Sequence, residues 1–184
     1  MSQATARTTR TALTAVSVLA LVGCGGAVGG TPTTPDRSTD GARAEEEITK
    51  VNPCALLPAG KAEPFGLRQP ARAEPEERLK GMGCRYPGDP FTVWLVRNDN
   101  LALDDFRKIR HTYDRFEENR VNGRTGALVV VGGGAGNGVC AQQFSYGKGT
   151  IAVELTYHHG KFAGKDPCAD AMAVAQTVES QLPR

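Results

Sequence analysis

Four cysteines, Cys54, Cys84, Cys140 and Cys168, stand at wide intervals along the chain, and whatever they do together fixes how the segments between them can run. A fifth, Cys24, lies apart from them, at the end of an apolar stretch near the N-terminus. No two of the five have the short C-x2-4-C spacing of a structural zinc site, although His158 and His159 fall between Cys140 and Cys168. Disulfides are the other use for such a set, and they persist in oxidising compartments. The N-terminus points to one: Arg7 and Arg10 precede the apolar run from Thr11 to Val22, the arrangement of a secretory signal. That run is shorter than the roughly 20 apolar residues needed to cross a bilayer.

The run ends in Leu21-Val22-Gly23-Cys24, which resembles the lipobox of bacterial lipoproteins. The resemblance implies cleavage after a signal peptide of residues 1–23, a diacylglycerol on the Cys24 thiol, and attachment to the membrane through that lipid. The expected location is therefore extracytoplasmic, with the chain lipid-anchored to the outer face of the cell membrane. Lipidation of Cys24 also leaves an even number of thiols. Discarding residues 1–23 removes two of the 22 basic residues and none of the 20 acidic ones, so 20 of each remain. A formally neutral chain lacks the electrostatic footprint of a nucleic-acid binder. Residues 24–47 are rich in Gly, Thr, Pro and charge and nearly devoid of large apolar side chains. Such a segment cannot offset the entropy of ordering and reads as a tether. As a random coil of about 23 residues it spans roughly 25–29 Å. Residues 48–184 then form a single domain of the usual size.

Within that domain Asn52-Pro53-Cys54 and Asp166-Pro167-Cys168 are two helix starts, with Asn or Asp as N-cap and Pro in the first helical position. The second opens a helix whose Cys168, Ala171, Met172, Ala175, Val178 and Leu182 share one stripe. The first is cut to one or two turns by Pro58 and Pro64. Phe91 to Val96 reads as a strand buried on both sides, with Phe91, Val93 and Leu95 on one face. Leu103, Phe106, Ile109 or Arg110, Tyr113 and Phe116 keep helical spacing, which predicts an amphipathic helix of about 14 residues with Asp104 and Asp105 in its first turn. Leu128 to Val131 reads as a strand running into the glycines of residues 132–138. Val139–Tyr146 and Thr150–Tyr157 flank Gly147-Lys148-Gly149 as a hairpin. The order predicts an α+β fold: a mostly antiparallel sheet of about five strands, with N-terminal, middle and C-terminal helices packed on it in the manner of an α/β/α sandwich, and two disulfides.

Four cysteines allow three pairings, and the sequence does not choose among them. We favour Cys54–Cys84 and Cys140–Cys168, because each staples a terminal helix to its neighbouring strand. A loop of about thirty residues gives at most about 3.5–4 kcal/mol per bridge in the chain-entropy account.

The lipobox, the polar tether, Asn52-Pro53-Cys54-Ala55-Leu56-Leu57, Gly83-Cys84-Arg85-Tyr86 and the closing Asp166-Pro167-Cys168 helix together resemble the actinobacterial lipoproteins of domain of unknown function 3558. Tyr86 stands where that family often has Trp. The resemblance implies location, disulfides and a small sandwich-like fold, and no reaction.

Candidate chemistry is sparse. The glycines of residues 132–138 are followed by no Lys-Ser/Thr and lead into a strand, so they read as a loop and not as a phosphate-binding P-loop. His158 and His159 follow a strand, where a hydrolase or transferase could use a general base. No Gly-x-Ser-x-Gly is present, and both read as surface residues, as does His111. Asp104-Asp105 and Glu117-Glu118 read as a solvated helix face. The expectation is a non-enzymatic envelope lipoprotein without cofactor or metal, binding an envelope protein or a small apolar or glycan ligand. An enzyme using His158 or His159 and a purely structural surface protein are the alternatives.

Overall fold

The structure, a computed structural model, describes residues 48–69, 73–77 and 81–183, all within one compact unit, Pro35–Arg184. Cys24 and the segments read from sequence as a signal and a tether lie outside the described residues.

Asn52 caps a 3-10 turn, Pro53–Ala55, its side-chain oxygen accepting from the Cys54 N–H at 3.0 Å. A short helix α1 (Ala59–Ala62) and a second 3-10 turn (Glu63–Phe65) follow, ending at Gly66. The prolines thus limit this segment to single turns, as their missing N–H groups require. Seven strands come next: β1 (Glu74–Glu76), β2 (Gly81–Tyr86), β3 (Phe91–Asn98), β4 (Tyr113–Val121), β5 (Arg124–Val131), β6 (Val139–Tyr146) and β7 (Gly149–Tyr157). They form one antiparallel sheet in the order β1-β2-β3-β7-β6-β5-β4. Helix α2 (Leu103–Lys108) lies between β3 and β4 in sequence, and α3 (Pro167–Glu179) closes the fold.

The expected count of about five strands is corrected to seven. The three-residue β1 at one edge carries no apolar alternation to announce it. The larger miss is β4. The predicted 14-residue helix stops at Lys108, and of the residues assigned to its second half Arg110–Thr112 form a 3-10 turn and Tyr113 onward a strand. The misleading signal was the three-residue spacing of Tyr113 and Phe116. A register shift between Tyr113 and Arg115 inserts an extra residue into β4, and this places Tyr113 and Phe116 on the same face, their rings stacked 6.0 Å apart. A β-bulge thereby imitates helical periodicity. Asn122-Gly123, a strong hairpin signal, joins β4 to β5, with φ of 47° and 94° at the two residues.

One sheet face carries the main core. Phe91, Val93 and Leu95 of β3, Leu128 and Val130 of β5, Phe144 of β6, and Ile151, Val153 and Leu155 of β7 meet α3 and the N-terminal turns there. Residues Cys168, Ala171, Val174, Ala175 and Val178 of α3 are all buried. Asp166 caps that helix, accepting from the Cys168 and Ala169 N–H groups at 3.0 and 3.1 Å. Disulfides join Cys54 to Cys84 and Cys140 to Cys168, so both covering segments are covalently held to the sheet. Tyr86, fully buried, adds a polar tie: its hydroxyl donates toward the carbonyl oxygens of Pro53 (3.1 Å) and Cys54 (2.9 Å). The phenol thus ties the Asn-Pro-Cys turn to β2. Gly83 is needed one residue before Cys84, because a Cβ there would sit 2.2 Å from the Trp94 indole nitrogen.

Candidate functional site

The opposite face of the sheet has much less cover. Alternation along the strands puts Trp94, Ala127, Val129, Val131, Ala141, Gln143, Glu154 and Thr156 on this side. Among the described residues only α2 lies over it. Leu103 and Phe106 are the buried residues of that helix, and Leu103 packs with Ala127 and Val129. Six residues make a helix too short to be stable alone, and its ends are tied down by charge. The Asp105 carboxylate accepts from the Ala102 N–H at 3.1 Å and from Lys108 at 2.8 Å, and these contacts hold its pKa below the usual carboxylate range, Lys108 contributing most. Arg107 pairs with Glu118 of β4 at 2.9 Å and with Asp104.

Between α2 and the sheet lies a groove of about 440 Å3, within the range of small-molecule sites. Leu101, Phe106 and Ile109 form its helix side, and Tyr113, Val129, Val131, Val139 and Ala141 much of its sheet side. Its polar lining comes from Asp105, Gln143, Glu154 and Thr156. Among the described residues the large apolar side chains that stay exposed are Ile109 (46 %) and Val131 (53 %), and both border this groove. Gln143 is only 6 % exposed, yet its Oε1 has no hydrogen-bond partner among the described residues. A buried acceptor left without a donor costs about 1–3 kcal/mol. Apolar walls with a few polar groups and an unsatisfied acceptor are the ordinary make-up of a ligand site.

Of the residues weighed from sequence for chemistry, Asp105 alone lines this groove; Phe106, Ile109 and Tyr113, read there as one apolar helix stripe, line it as well, as does Cys140 of the second disulfide. His158 is exposed, and its Nε2 is 2.8 Å from the Gly88 carbonyl oxygen; a carbonyl only accepts, so that nitrogen carries the proton. His159 is exposed in the turn that follows, and His111 is exposed in a 3-10 turn after α2, not on the helix expected there. Glu117 and Glu118 are strand neighbours on opposite faces, bound to Arg115 at 2.6 Å and Arg107 at 2.9 Å, which corrects their placement on a helix. The glycine segment is a loop with internal ties. Asp114 accepts from the Ala135 N–H at 2.9 Å, and the N–H groups of Ala135, Gly133 and Gly134 together hold its carboxyl below the usual range. This backbone concavity, which could cradle an anion, is occupied by the chain's own carboxylate. Among the described residues no His/Cys/Asp/Glu group has the geometry to hold a metal, and no helix is long and apolar enough to cross a membrane.

The sequence signal for the groove was weak. Ile109 and Val131 are apolar residues at the ends of their elements, where polar ones are usual, but nothing local says that the two ends meet.

Fold and site define a small α+β domain, stapled by two disulfides, whose sheet is packed on one face and grooved on the other. Residues 19–181 match the family described as protein of unknown function (DUF3558), and the chain belongs to that family. No curated protein and no solved structure matches it.

Proposed function

We propose that the chain is a lipid-anchored binding module of the cell envelope, without catalytic chemistry, and that the groove beneath α2 receives a small apolar ligand. The carrying observation is the coincidence of the exposed Ile109 and Val131 with an apolar groove of about 440 Å3. Exposed apolar surface beside a concavity is costly unless something covers it. The lipobox-like Leu21-Val22-Gly23-Cys24 supports the address. A tether of about 23 residues would hold the domain roughly 25–29 Å from its anchor on average, near a membrane that supplies apolar molecules. The exposed, carbonyl-bonded His158 gives an enzymatic reading no support.

The test is titration with Nile red, a neutral apolar fluorophore, of the wild-type domain and of Ala141→Trp, which places an indole in the groove. One site per chain in the wild type, lost in a variant that keeps the wild-type circular dichroism, is expected. Equal dye binding by both proteins would remove the groove from consideration.

A further inference from the structure

Strand β6 carries two buried glutamines side by side, and they differ in one respect. Gln142 points to the other face of the sheet and is satisfied: its Nε2 donates to Asn119 at 2.8 Å and to the Ala127 carbonyl at 3.2 Å, and its Oε1 accepts from Asn119 at 2.9 Å. Gln143 lines the groove, is 6 % exposed, and has no hydrogen-bond partner for its Oε1 among the described residues. It stands opposite Ala127 of β5 and Ala152 of β7, so only small side chains flank it on the neighbouring strands. The position gives the groove a direction. Ala127 is fully buried, whereas Val131, further along β5, is exposed. At roughly 3.3 Å per residue the two lie about 13 Å apart. Gln143 therefore marks the inner end, and Val131 with Ile109 the mouth.

An ionic head does not suit that inner end. Asp105 already accepts from Lys108 and Ala102, and Glu154 has its own partner within the chain, so a ligand cation would find no unpaired carboxylate. Among the described residues no Lys, Arg or His lines the groove, so a ligand carboxylate would lose hydration without gaining a counterion. A hydroxyl is neutral and both donates and accepts. The last torsion of a glutamine is roughly two-fold, so such a group is matched whichever end of the amide faces it. Resting on the groove reading above, we infer that the ligand is a neutral aliphatic alcohol. Its hydroxyl donates to the Gln143 amide oxygen, and its hydrocarbon chain runs between α2 and β5–β6 to cover Ile109 and Val131.

1-Octanol and methyl heptyl ether contain the same atoms, but the ether has no donor; octanoate supplies a charged head. Calorimetric titration of the three at pH 7 should give octanol at least about fivefold tighter than the ether, the worth of one net hydrogen bond, and at least about tenfold tighter than octanoate. In Gln143→Met, which keeps the length of the side chain, octanol should fall to within about twofold of the ether, with the ether bound no more weakly than by wild type. The same substitution removes a buried acceptor that has no donor, so the free variant should unfold at an unchanged or higher urea concentration, whereas loss of a purely structural amide would lower it. Equal binding of the two isomers, octanoate bound as tightly as octanol, an octanol preference that survives in Gln143→Met, or a lowered urea midpoint in that variant would overturn the alcohol and leave the groove standing. Failure of octanol and ether alike to bind would overturn both.

Discussion

Replacing Tyr86 by phenylalanine removes one oxygen atom from the place where the N-terminal turns meet the sheet. The ring is fully buried and keeps its packing, so the effect isolates the hydroxyl. That hydroxyl donates toward the carbonyls of Pro53 and Cys54. The Pro53 carbonyl keeps a bond from the Leu56 N–H at 3.4 Å, whereas the Cys54 carbonyl loses this partner. A net bond contributes about 1 kcal/mol, and a buried group stranded without one costs about 1–3 kcal/mol. With one stranded carbonyl at the low end of that range, the sum comes to about 2 kcal/mol. With an unfolding entropy of about 2.1 cal/mol/K per residue over roughly 135 residues, Tm should fall by about 7 °C. Thermal unfolding followed through the single tryptophan, Trp94, with the disulfides intact, measures this directly. A second signature is alkaline. Burial pushes the Tyr86 phenol up to about 12, so the fold favours its protonated form. The resulting stability is complete below the ordinary value near 10 and is lost as pH rises through about 12. Tyr86→Phe should lack that part of the loss and retain the part due to Tyr157, whose phenol burial also raises to about 12. A Tm within about 1 °C of wild type, with unchanged alkaline behaviour, would refute the role given to the hydroxyl.

Gly123→Ala places a Cβ at φ 94° in the β4–β5 turn and should cost about 1–2 kcal/mol in urea unfolding, whereas the same substitution at the exposed Gly60, inside α1, should not destabilise. Removing the second disulfide as Cys140→Ser with Cys168→Ser opens a loop of 28 residues and should lower stability by about 3.5 kcal/mol at most, read from the denaturant midpoint. Asp114→Ala should speed hydrogen exchange at the Ala135 amide without altering exchange in α3. In the wild type, the protection factor of that amide, its intrinsic exchange rate divided by the observed one, should fall on acidification, because a carboxyl held below its usual range keeps its bonds above that range and gives them up as pH falls through the lowered value.

How much of this was legible in the sequence depended on whether the signal was local. The Asp166-Pro167 start and the stripe through Val178 describe α3 as found, because cap, proline and apolar spacing are all contained in the helix itself. The β6–β7 hairpin was equally plain, and its two turn residues place the positive φ, 59°, on Gly147. The alternation in β3 correctly assigned Phe91, Val93 and Leu95 to one face. Where periodicity and composition disagreed, composition had the better information. Thr112, Tyr113 and Phe116 are poor helix formers and good strand formers, and Asn122-Gly123 marks the hairpin that β4 enters. The bulge that brings Tyr113 and Phe116 together at helical spacing is set by pairing with β5, which no window along β4 reveals. The groove is further from view still. It exists because α1 and α3 both pack on one face, leaving the short α2 to cover the other incompletely, and that choice is made by the whole sheet.

Methyl resonances offer the most direct trial of the groove as the binding site. Titration of octanol into the methyl-labelled domain should shift Ile109, Val129, Val131 and Ala141, and leave Ile151, Val153 and Val174 beneath α3 unmoved. Shifts confined to the α3 face, or none at saturating octanol, would contradict it.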